Sequence, residues 1–245
     1  MKEYLVRDWN DYIDIICDIS YGLGKCMWYR GQEVSNWDLL PAVKRQPYCK
    51  PGNEQYLATD FYIETKRRRK DVPQNQSGWL SLMQHYGLPT RLLDWSSSPL
   101  VALYFATCNR KMHTQEDAAV WILDPEMLNE VQGYKKYIFP MDYTSIEELV
   151  EGAFKPVQET NKILACCNVE CDLRMYVQQA NFTIHDSNIP LNLMDSEDLF
   201  LSKMIIPSKM KEGLALQLNV LGFSERTIFP DIEHIAHELR EIFSY

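Results

Sequence analysis

Long apolar runs are absent from this 245-residue chain. No segment approaches the roughly 20 consecutive apolar residues that a membrane-spanning helix needs, and the start, Met1 to Asp8, lacks the apolar block of a signal peptide. These absences predict a protein that is neither embedded in a membrane nor exported by the usual route. Apolar residues still make up 46% of the chain, enough for the core of one main body.

A disulfide framework is missing as well. The seven cysteines are odd in number and the chain is not a small secreted scaffold, which favours a reducing cytoplasm. Cys166, Cys167 and Cys171 cluster, but zinc sites use separated cysteine pairs or added histidines. Three small side chains on or near a helix are the preferred interpretation, a zinc site is the alternative, and we expect no metal.

Excess positive charge is the third absence. The formal net charge is −9, whereas a protein that coats duplex DNA needs a basic surface to displace counterions. One basic run, Lys66, Arg67, Arg68, Arg69 and Lys70, follows a predicted helix. Cations suit the C-terminal end of a helix dipole, so a solvated helix end is the first interpretation. The alternative is a contact with phosphate or with a strand of RNA or single-stranded DNA.

Apolar periodicity, capping residues and turn residues predict alternating helices and strands. Helices are expected at 8–20, 53–70, 78–86, 100–106, 145–154, 209–221 and 232–243, and strand material at 27–30, 91–95, 118–123, 173–178, 181–185 and 201–207. No internal repeat or low-complexity linker interrupts them. The sum predicts an α+β domain with helices around a small sheet.

Polar side chains are concentrated between residues 84 and 98, in an otherwise apolar strand-to-helix passage. Asp94 stands between leucines and Trp95, which predicts that its carboxylate is at least partly buried and needs a cationic or hydrogen-bonding partner. Arg30 or Arg91 would serve. Two interpretations stay open: a functional site, or a buried Asp–Arg ion pair and a serine cap that only hold the fold.

Several ordered motifs resemble the FRG domain, which is named for its (Phe/Tyr)-Arg-Gly element. They are Trp28-Tyr-Arg-Gly-Gln32, Met83-Gln-His-Tyr-Gly-Leu-Pro-Thr-Arg-Leu-Leu-Asp-Trp95, Ser98-Pro-Leu-Val-Ala-Leu-Tyr-Phe-Ala106 and Arg174-x-x-x-Gln178. The resemblance spans about residues 28–240 and implies that 1–245 is a single FRG domain, with the helix at 8–20 before the motifs. Ala180 departs from the family pattern, which usually has glycine there.

A second resemblance is to ADP-ribosyltransferases, which bind NAD in a split α+β sheet. It rests on an aromatic-Arg-Gly strand and on a later strand whose serines open a helix. It implies a small split or mixed sheet surrounded by helices, with NAD as the substrate. The implied activity is that of an ADP-ribosyltransferase or NAD glycohydrolase, as in a bacterial toxin or antiphage effector. The alternative is a non-catalytic module that recognises a nucleotide or protein ligand with the same pocket.

The transferase resemblance also implies roles for individual residues. Arg30 would hold the pyrophosphate, Gly31 would let the dinucleotide approach the backbone, and Ser96 would orient the third-motif residue. Tyr86 or Tyr104 would stack on nicotinamide or adenine. The residues expected to bind NAD are Arg30, Gly31, Gln32, Gln84, Tyr86, Thr90, Arg91, Ser96 and Tyr104, and those expected at the chemistry are His85, Asp94 and Gln178.

The third motif, Gln178-Gln-Ala180, carries no glutamate where many transferases have one. Release of nicotinamide passes through an oxocarbenium-like state, which a carboxylate stabilises far better than an amide. Either Asp94 supplies the negative charge, or the chemistry is altered or lost. The acceptor would be a protein or a nucleic acid, the latter bound through Lys66 to Lys70.

Overall fold

Eight strands form one mixed sheet in the computed structural model, which describes residues 1–23, 25–108, 113, 115–167 and 172–243. The strands are β1 (Lys2–Leu5), β2 (Trp28–Gln32), β3 (Leu92–Ser96), β4 (Ala118–Leu123), β5 (Phe139–Pro140), β6 (Ile163–Cys167), β7 (Ala180–His185) and β8 (Leu201–Ile206). Their order in the sheet is β1-β8-β4-β2-β3-β7-β6-β5. The β1–β8 and β5–β6 pairs are parallel, and the other neighbours are antiparallel.

Helices cover the sheet, and several begin at the caps expected from the sequence. They are α1 (Trp9–Leu23), α2 (Asn53–Arg68), α3 (Gln76–His85), α4 (Pro99–Thr107), α5 (Pro125–Val131), α6 (Thr144–Glu151), α7 (Leu173–Val177), α8 (Ser208–Val220), α9 (Glu225–Ile228) and α10 (Ile232–Ile242). Ser98 caps α4 by accepting a hydrogen bond from the Val101 amide, and Pro99 opens that helix. Among the described residues, no helix is long and apolar enough to cross a membrane.

The core has a layer on each face of the sheet. Tyr12, Leu103 and Leu214, from α1, α4 and α8, pack against one face of the half that contains β1, β8, β4 and β2. The tryptophans of β2, β3 and β4 pack together on the opposite face. A third cluster joins α3 and α6 to the half made of β3, β7, β6 and β5. Strands β2 and β3 therefore meet in the middle of the molecule, beside α4.

The junction between β2 and β3 is narrow. Their only register pair is Tyr29 with Ser96, whereas β2 makes five pairs with β4 and β3 makes five with β7. Beyond that pair the two strands separate, and we call the space between Arg30 and Asp94 the central gap. The prediction of an α+β fold with a mixed sheet is confirmed. The sheet is larger than expected, because it has eight strands.

The strand expected at 173–178 is also wrong, because Leu173–Val177 forms helix α7. Asp172 caps it by accepting a hydrogen bond from the Met175 amide at 2.8 Å. Alternating apolar residues suggested a strand, but five residues are too few to separate a period of two from one helical turn. Strands β1 and β6 and helix α5 were not expected. Cys166 and Cys167 end β6, whereas Cys171 lies outside the described residues.

Gly31 on β2 lies directly against α4. A Cβ atom at this position would lie 1.9 Å from the Ala102 carbonyl oxygen and 2.6 Å from the Ala106 amide nitrogen. Both atoms belong to the helix backbone, so a flexible side chain cannot yield to make room. Gly31 therefore allows helix α4 to pack closely against β2. This packing alone explains the glycine, without a bound dinucleotide.

Gly31→Ala is expected to lower the free energy of unfolding by roughly 2 to 3 kcal/mol, because α4 must move away from β2. Urea unfolding followed by circular dichroism measures the change. Gly213→Ala is the matched control, since a Cβ on this α8 glycine would meet nothing within 4 Å. That control is expected to raise stability by up to about 1 kcal/mol. Equal unfolding midpoints for Gly31→Ala and the unaltered protein would contradict the packing argument.

His185 is a fully buried histidine on β7. Its Nε2 atom lies 2.8 Å from the Thr183 hydroxyl, and burial lowers its pKa from 6.5 to about 3. The unfolded chain binds a proton there between pH 6.5 and 3, while the folded protein does not. The free energy of unfolding is therefore expected to fall as the pH drops through this range.

His185→Gln removes that titration, so its unfolding free energy should depend less steeply on pH than that of the unaltered chain. Urea unfolding at pH 7, 6 and 5 measures the two slopes. Parallel slopes would show that His185 does not contribute to acid destabilisation.

Candidate functional site

A cavity of about 310 Å³ opens at the central gap. Strands β2 and β3, helix α4, the end of α3 and helix α7 contribute its walls. The sequence-predicted residues that line it are Arg30, Gly31, Gln32, Gln84, His85, Asp94, Ser96 and Gln178. Three separate stretches of chain thus converge on one space. Of the other predicted residues, Tyr86, Thr90, Arg91 and Tyr104 do not line this cavity.

Arg30 extends from β2 across the central gap. Its Nη1 atom donates a hydrogen bond to the Asp94 carbonyl oxygen at 2.7 Å and lies 4.0 Å from Asp94 Oδ2. Its buried Nε atom has no hydrogen-bond partner in the part of the chain that the structure describes. Burial lowers the pKa of Arg30 to about 10, although the Asp94 charge opposes that shift. A buried guanidinium with an unused donor favours a bound anion.

Asp94 is more exposed than the sequence predicted. Its side chain is 56% exposed, because β3 directs Leu93 and Trp95 into the core and Asp94 to the other face. The expectation of a partly buried carboxylate is therefore wrong. Gln84 Nε2 donates to both carboxylate oxygens at 2.8 Å, and the Thr90 hydroxyl donates to the Gln84 amide oxygen. These contacts orient the carboxylate while leaving it open to the cavity.

Arg91 lies behind the cavity in a buried ion-pair network. Its Nη2 atom lies 2.7 Å from Glu54 Oε2, and its Nη1 atom lies 3.2 Å from Asp186 Oδ1. A buried arginine–carboxylate pair therefore exists, but Asp94 is not part of it. Arg30 is the cation beside Asp94.

The Ser96 side chain contacts the backbone of the third motif. Its hydroxyl donates a hydrogen bond to the Gln178 carbonyl oxygen at 2.6 Å and accepts one from the Ser98 amide. The Gln178 side-chain amide donates to the Ile228 carbonyl oxygen at 3.1 Å. The end of β3 is thereby tied to the turn after α7, and Gln178 is held against α9.

The cavity also contains groups that were not predicted as site residues. Arg45 and Arg174 add positive charge, and Trp37 and Phe105 add aromatic surface. Burial lowers the pKa of Arg45, while the neighbouring Asp94 charge opposes the shift. The Arg174 guanidinium lies 4.7 Å from the centre of the Phe229 ring. Arg174 belongs to the motif Arg174-x-x-x-Gln178, which resembles the FRG domain and is the signal that the sequence offered for this residue.

The two predicted tyrosines lie elsewhere. Tyr86 is 57% exposed, with its hydroxyl 3.3 Å from Arg69 Nη1. Tyr104 packs against the core on the side of α1, α4 and α8. Stacking of either ring on NAD stays a prediction.

The basic run from Lys66 to Lys70 lies at the exposed end of α2, and its residues are not among those that line the cavity. Arg67 and Arg68 each pair with Glu64, and Lys66 lies over the Tyr62 ring at 4.8 Å. This arrangement is that of a solvated helix end, and a contact with nucleic acid stays a prediction. Within the described ranges, no group of three or more histidine, cysteine, aspartate or glutamate side chains is placed to hold a metal ion.

Comparison with protein families and known proteins gives a match for one segment. Residues 25–115 match the model of the FRG domain. This segment contains Arg30, Gln84, Asp94 and Ser96, whereas Gln178 lies beyond its end. No curated protein and no solved structure matches the chain.

Proposed function

We propose that residues 25–115, which match the model of the FRG domain, and the strands around them bind NAD at the central gap. The protein then breaks the bond between ribose and nicotinamide and transfers ADP-ribose to an acceptor or to water. One observation carries the proposal: Arg30, Asp94 and Gln178 come from distant parts of the chain and line one cavity. Residues that served only as separate structural contacts would have no reason to share it.

The charge of the cavity suits a dinucleotide. Arg30, Arg45 and Arg174 line it together with Glu33 and Asp94, so arginines outnumber carboxylates. An arginine fork matches the geometry of phosphate oxygens and binds them in pairs. Arg30 is the principal phosphate ligand, because its Nε donor is buried and has no partner among the described residues.

Aromatic surface at the rim of the cavity suits the two bases of NAD. Trp37 is 42% exposed and makes an edge-to-face contact with His113 at 5.2 Å. Phe105 makes a similar contact with Phe229 at 5.9 Å. Rings held in this way offer a flat face to nicotinamide or adenine.

Asp94 is the group that stabilises the transition state. As the bond between ribose C1′ and the nicotinamide nitrogen breaks, its electron pair stays on the nitrogen and positive charge develops on the ribose. A carboxylate beside that charge lowers the barrier, and it does so most effectively when its orientation is already set. The hydrogen bonds from Gln84 set that orientation.

Incubation of the purified protein with NAD tests the proposal. Calorimetry measures binding, and chromatography measures released nicotinamide. Arg30→Met is expected to weaken NAD binding at least about tenfold, because it removes charged hydrogen bonds worth about 1.5 to 3 kcal/mol. Arg68→Met, at the exposed end of α2, is the control and should bind NAD normally. Absence of both NAD binding and nicotinamide release would refute the proposal.

A second candidate is a module that recognises a nucleotide or protein ligand without catalysis. Gln178 favours it, because an amide stands where many transferases have a carboxylate and its Nε2 atom is engaged by the Ile228 carbonyl. In that case Asp94→Ala should weaken ligand affinity, and nicotinamide release should be undetectable even with saturating NAD. Turnover of NAD by the unaltered protein eliminates this candidate.

A nucleic-acid acceptor is a further part of the proposal, as is a cytoplasmic toxin or antiphage role. Replacing all five cations from Lys66 to Lys70 by serine is expected to flatten the salt dependence of binding to single-stranded RNA or DNA, since each phosphate contact releases counterions. Filter binding at increasing salt concentrations measures the slope. If the unaltered protein does not bind such strands, or binds them independently of salt, the acceptor is not a nucleic acid held by this run.

A further inference from the structure

A second groove, of about 570 Å³, adjoins the cavity. It lies between the end of α3, the start of α7 and the segment that leads into α10. His85 and Arg174 line both the groove and the cavity. A small molecule in the groove therefore lies beside any ligand in the cavity, with these two residues between them.

His85 and Asp172 form a dyad at this boundary. His85 Nδ1 lies 2.6 Å from Asp172 Oδ2, while Asp172 Oδ1 accepts the hydrogen bond from the Met175 amide that caps α7. The cap fixes the carboxylate, and the carboxylate lies against the imidazole. His85 Nδ1 makes no hydrogen bond within the part of the chain that the structure describes, so Asp172 acts on the ring through its charge.

The opposite wall of the groove is ordered by stacked rings. His234 stacks on Phe229 with ring centres 4.5 Å apart, and its Nδ1 atom lies 2.7 Å from Asp231 Oδ1. The Arg174 guanidinium also lies against the Phe229 ring, 4.7 Å from its centre. These contacts hold Arg174 at the boundary before any ligand binds. A residue that positions a substrate has to be held in this way.

We propose that the groove admits a hydroxyl nucleophile and that His85, which lies beside Asp172, is its general base; this proposal rests on the proposed cleavage of NAD. Nε2 of His85 takes the proton from the hydroxyl, and an oxygen lone pair forms the new bond to ribose C1′. The C1′–nitrogen bond breaks, and its electron pair leaves with neutral nicotinamide. The proton on His85 then passes to solvent. Water is the smallest such nucleophile, so hydrolysis of NAD reports on the step.

The test compares nicotinamide release by three variants at saturating NAD. His85→Ala is expected to lower kcat by about 10²-fold or more, and added imidazole is expected to restore at least about tenfold by occupying the vacated space. Asp172→Asn keeps an oxygen for the cap of α7 but loses the charge that holds His85, and it should lower kcat about tenfold. His237→Ala, whose ring contacts Glu225 on the surface, is the control and should leave kcat unchanged.

The outcomes distinguish failure of the general base from failure of the proposed NAD cleavage. Release of nicotinamide by the unaltered protein, with kcat within about threefold in both His85→Ala and Asp172→Asn, overturns the general base and leaves NAD cleavage standing. A large loss in His85→Ala that imidazole does not relieve also overturns it, provided that the variant folds. If His85→Ala does not fold, Asp172→Asn decides alone. No release by the unaltered protein removes NAD cleavage and the general base together.

Discussion

Asp94→Asn is expected to lower kcat for nicotinamide release by at least about 10²-fold and to change NAD affinity by less than about threefold. Asparagine has the size of aspartate and keeps an oxygen that can accept the hydrogen bond from Gln84 Nε2. The substitution therefore removes charge and little else. Because Asp94 acts on charge that develops only in the transition state, the loss should fall on kcat. Steady-state kinetics and calorimetry with NAD separate the two effects.

Glu33→Gln is the charge-matched control for that experiment. Glu33 lines the same cavity, and burial raises its pKa. Its side chain faces Cys108 and the Lys211 side, not Arg30. Its replacement is expected to change kcat by less than about fivefold. Equal losses in both variants would mean that the total charge of the cavity matters and not the position of Asp94.

Normal turnover by Asp94→Asn would give Asp94 a different role, the orientation of Arg30 across the central gap. Arg30 already bonds to the backbone carbonyl of Asp94 at 2.7 Å, a contact that asparagine preserves. The enzymatic proposal would then need another source of negative charge.

The sequence predicted those parts of the fold that depend on neighbouring residues. Ser98 followed by Pro99 predicted the start of α4, and the apolar block from Ala118 to Leu123 predicted β4, which is buried along its whole length. Helix caps and uninterrupted apolar runs depend on neighbouring residues alone. The elements that they predict therefore form in the folded protein. The motif from Gln84 to Ser96 was likewise placed at the cavity because its polar residues stand close together in the chain.

The sequence could not reveal what depends on distant partners. Arg91 pairs with Glu54 and Asp186, which are 37 and 95 positions away, and no local pattern links them. The same applies to Asp94, whose exposure depends on β2 separating from β3 after one register pair. Flanking leucines suggested burial, but strand alternation and the central gap turned the carboxylate outward. Local sequence patterns therefore predicted where the candidate site lies, but not which charged side chains pair with each other.

Arg91→Met is expected to lower the free energy of unfolding by roughly 3 to 5 kcal/mol. The Arg91 side chain is 5% exposed and pairs with two carboxylates that are almost as deeply buried. It also donates a hydrogen bond to the Leu149 carbonyl at 2.9 Å. Removing it leaves two buried carboxylates without their arginine, which is far more destabilising than the loss of a surface pair. Arg67→Met, which removes an ion pair whose side chains are 69% and 47% exposed, should cost less than about 1 kcal/mol.

A double-mutant cycle separates loss of the pair from loss of packing. Arg91→Met, Glu54→Leu and the combined variant are compared by urea unfolding. We expect the combined variant to be less destabilised than the sum of the single variants by at least about 1 kcal/mol, because it leaves one buried charge fewer. Additive effects would mean that Arg91 and Glu54 stabilise the fold independently. Since Arg91 immediately precedes β3, coupling of the pair would show that the buried network stabilises the chain at the start of the strand that carries Asp94.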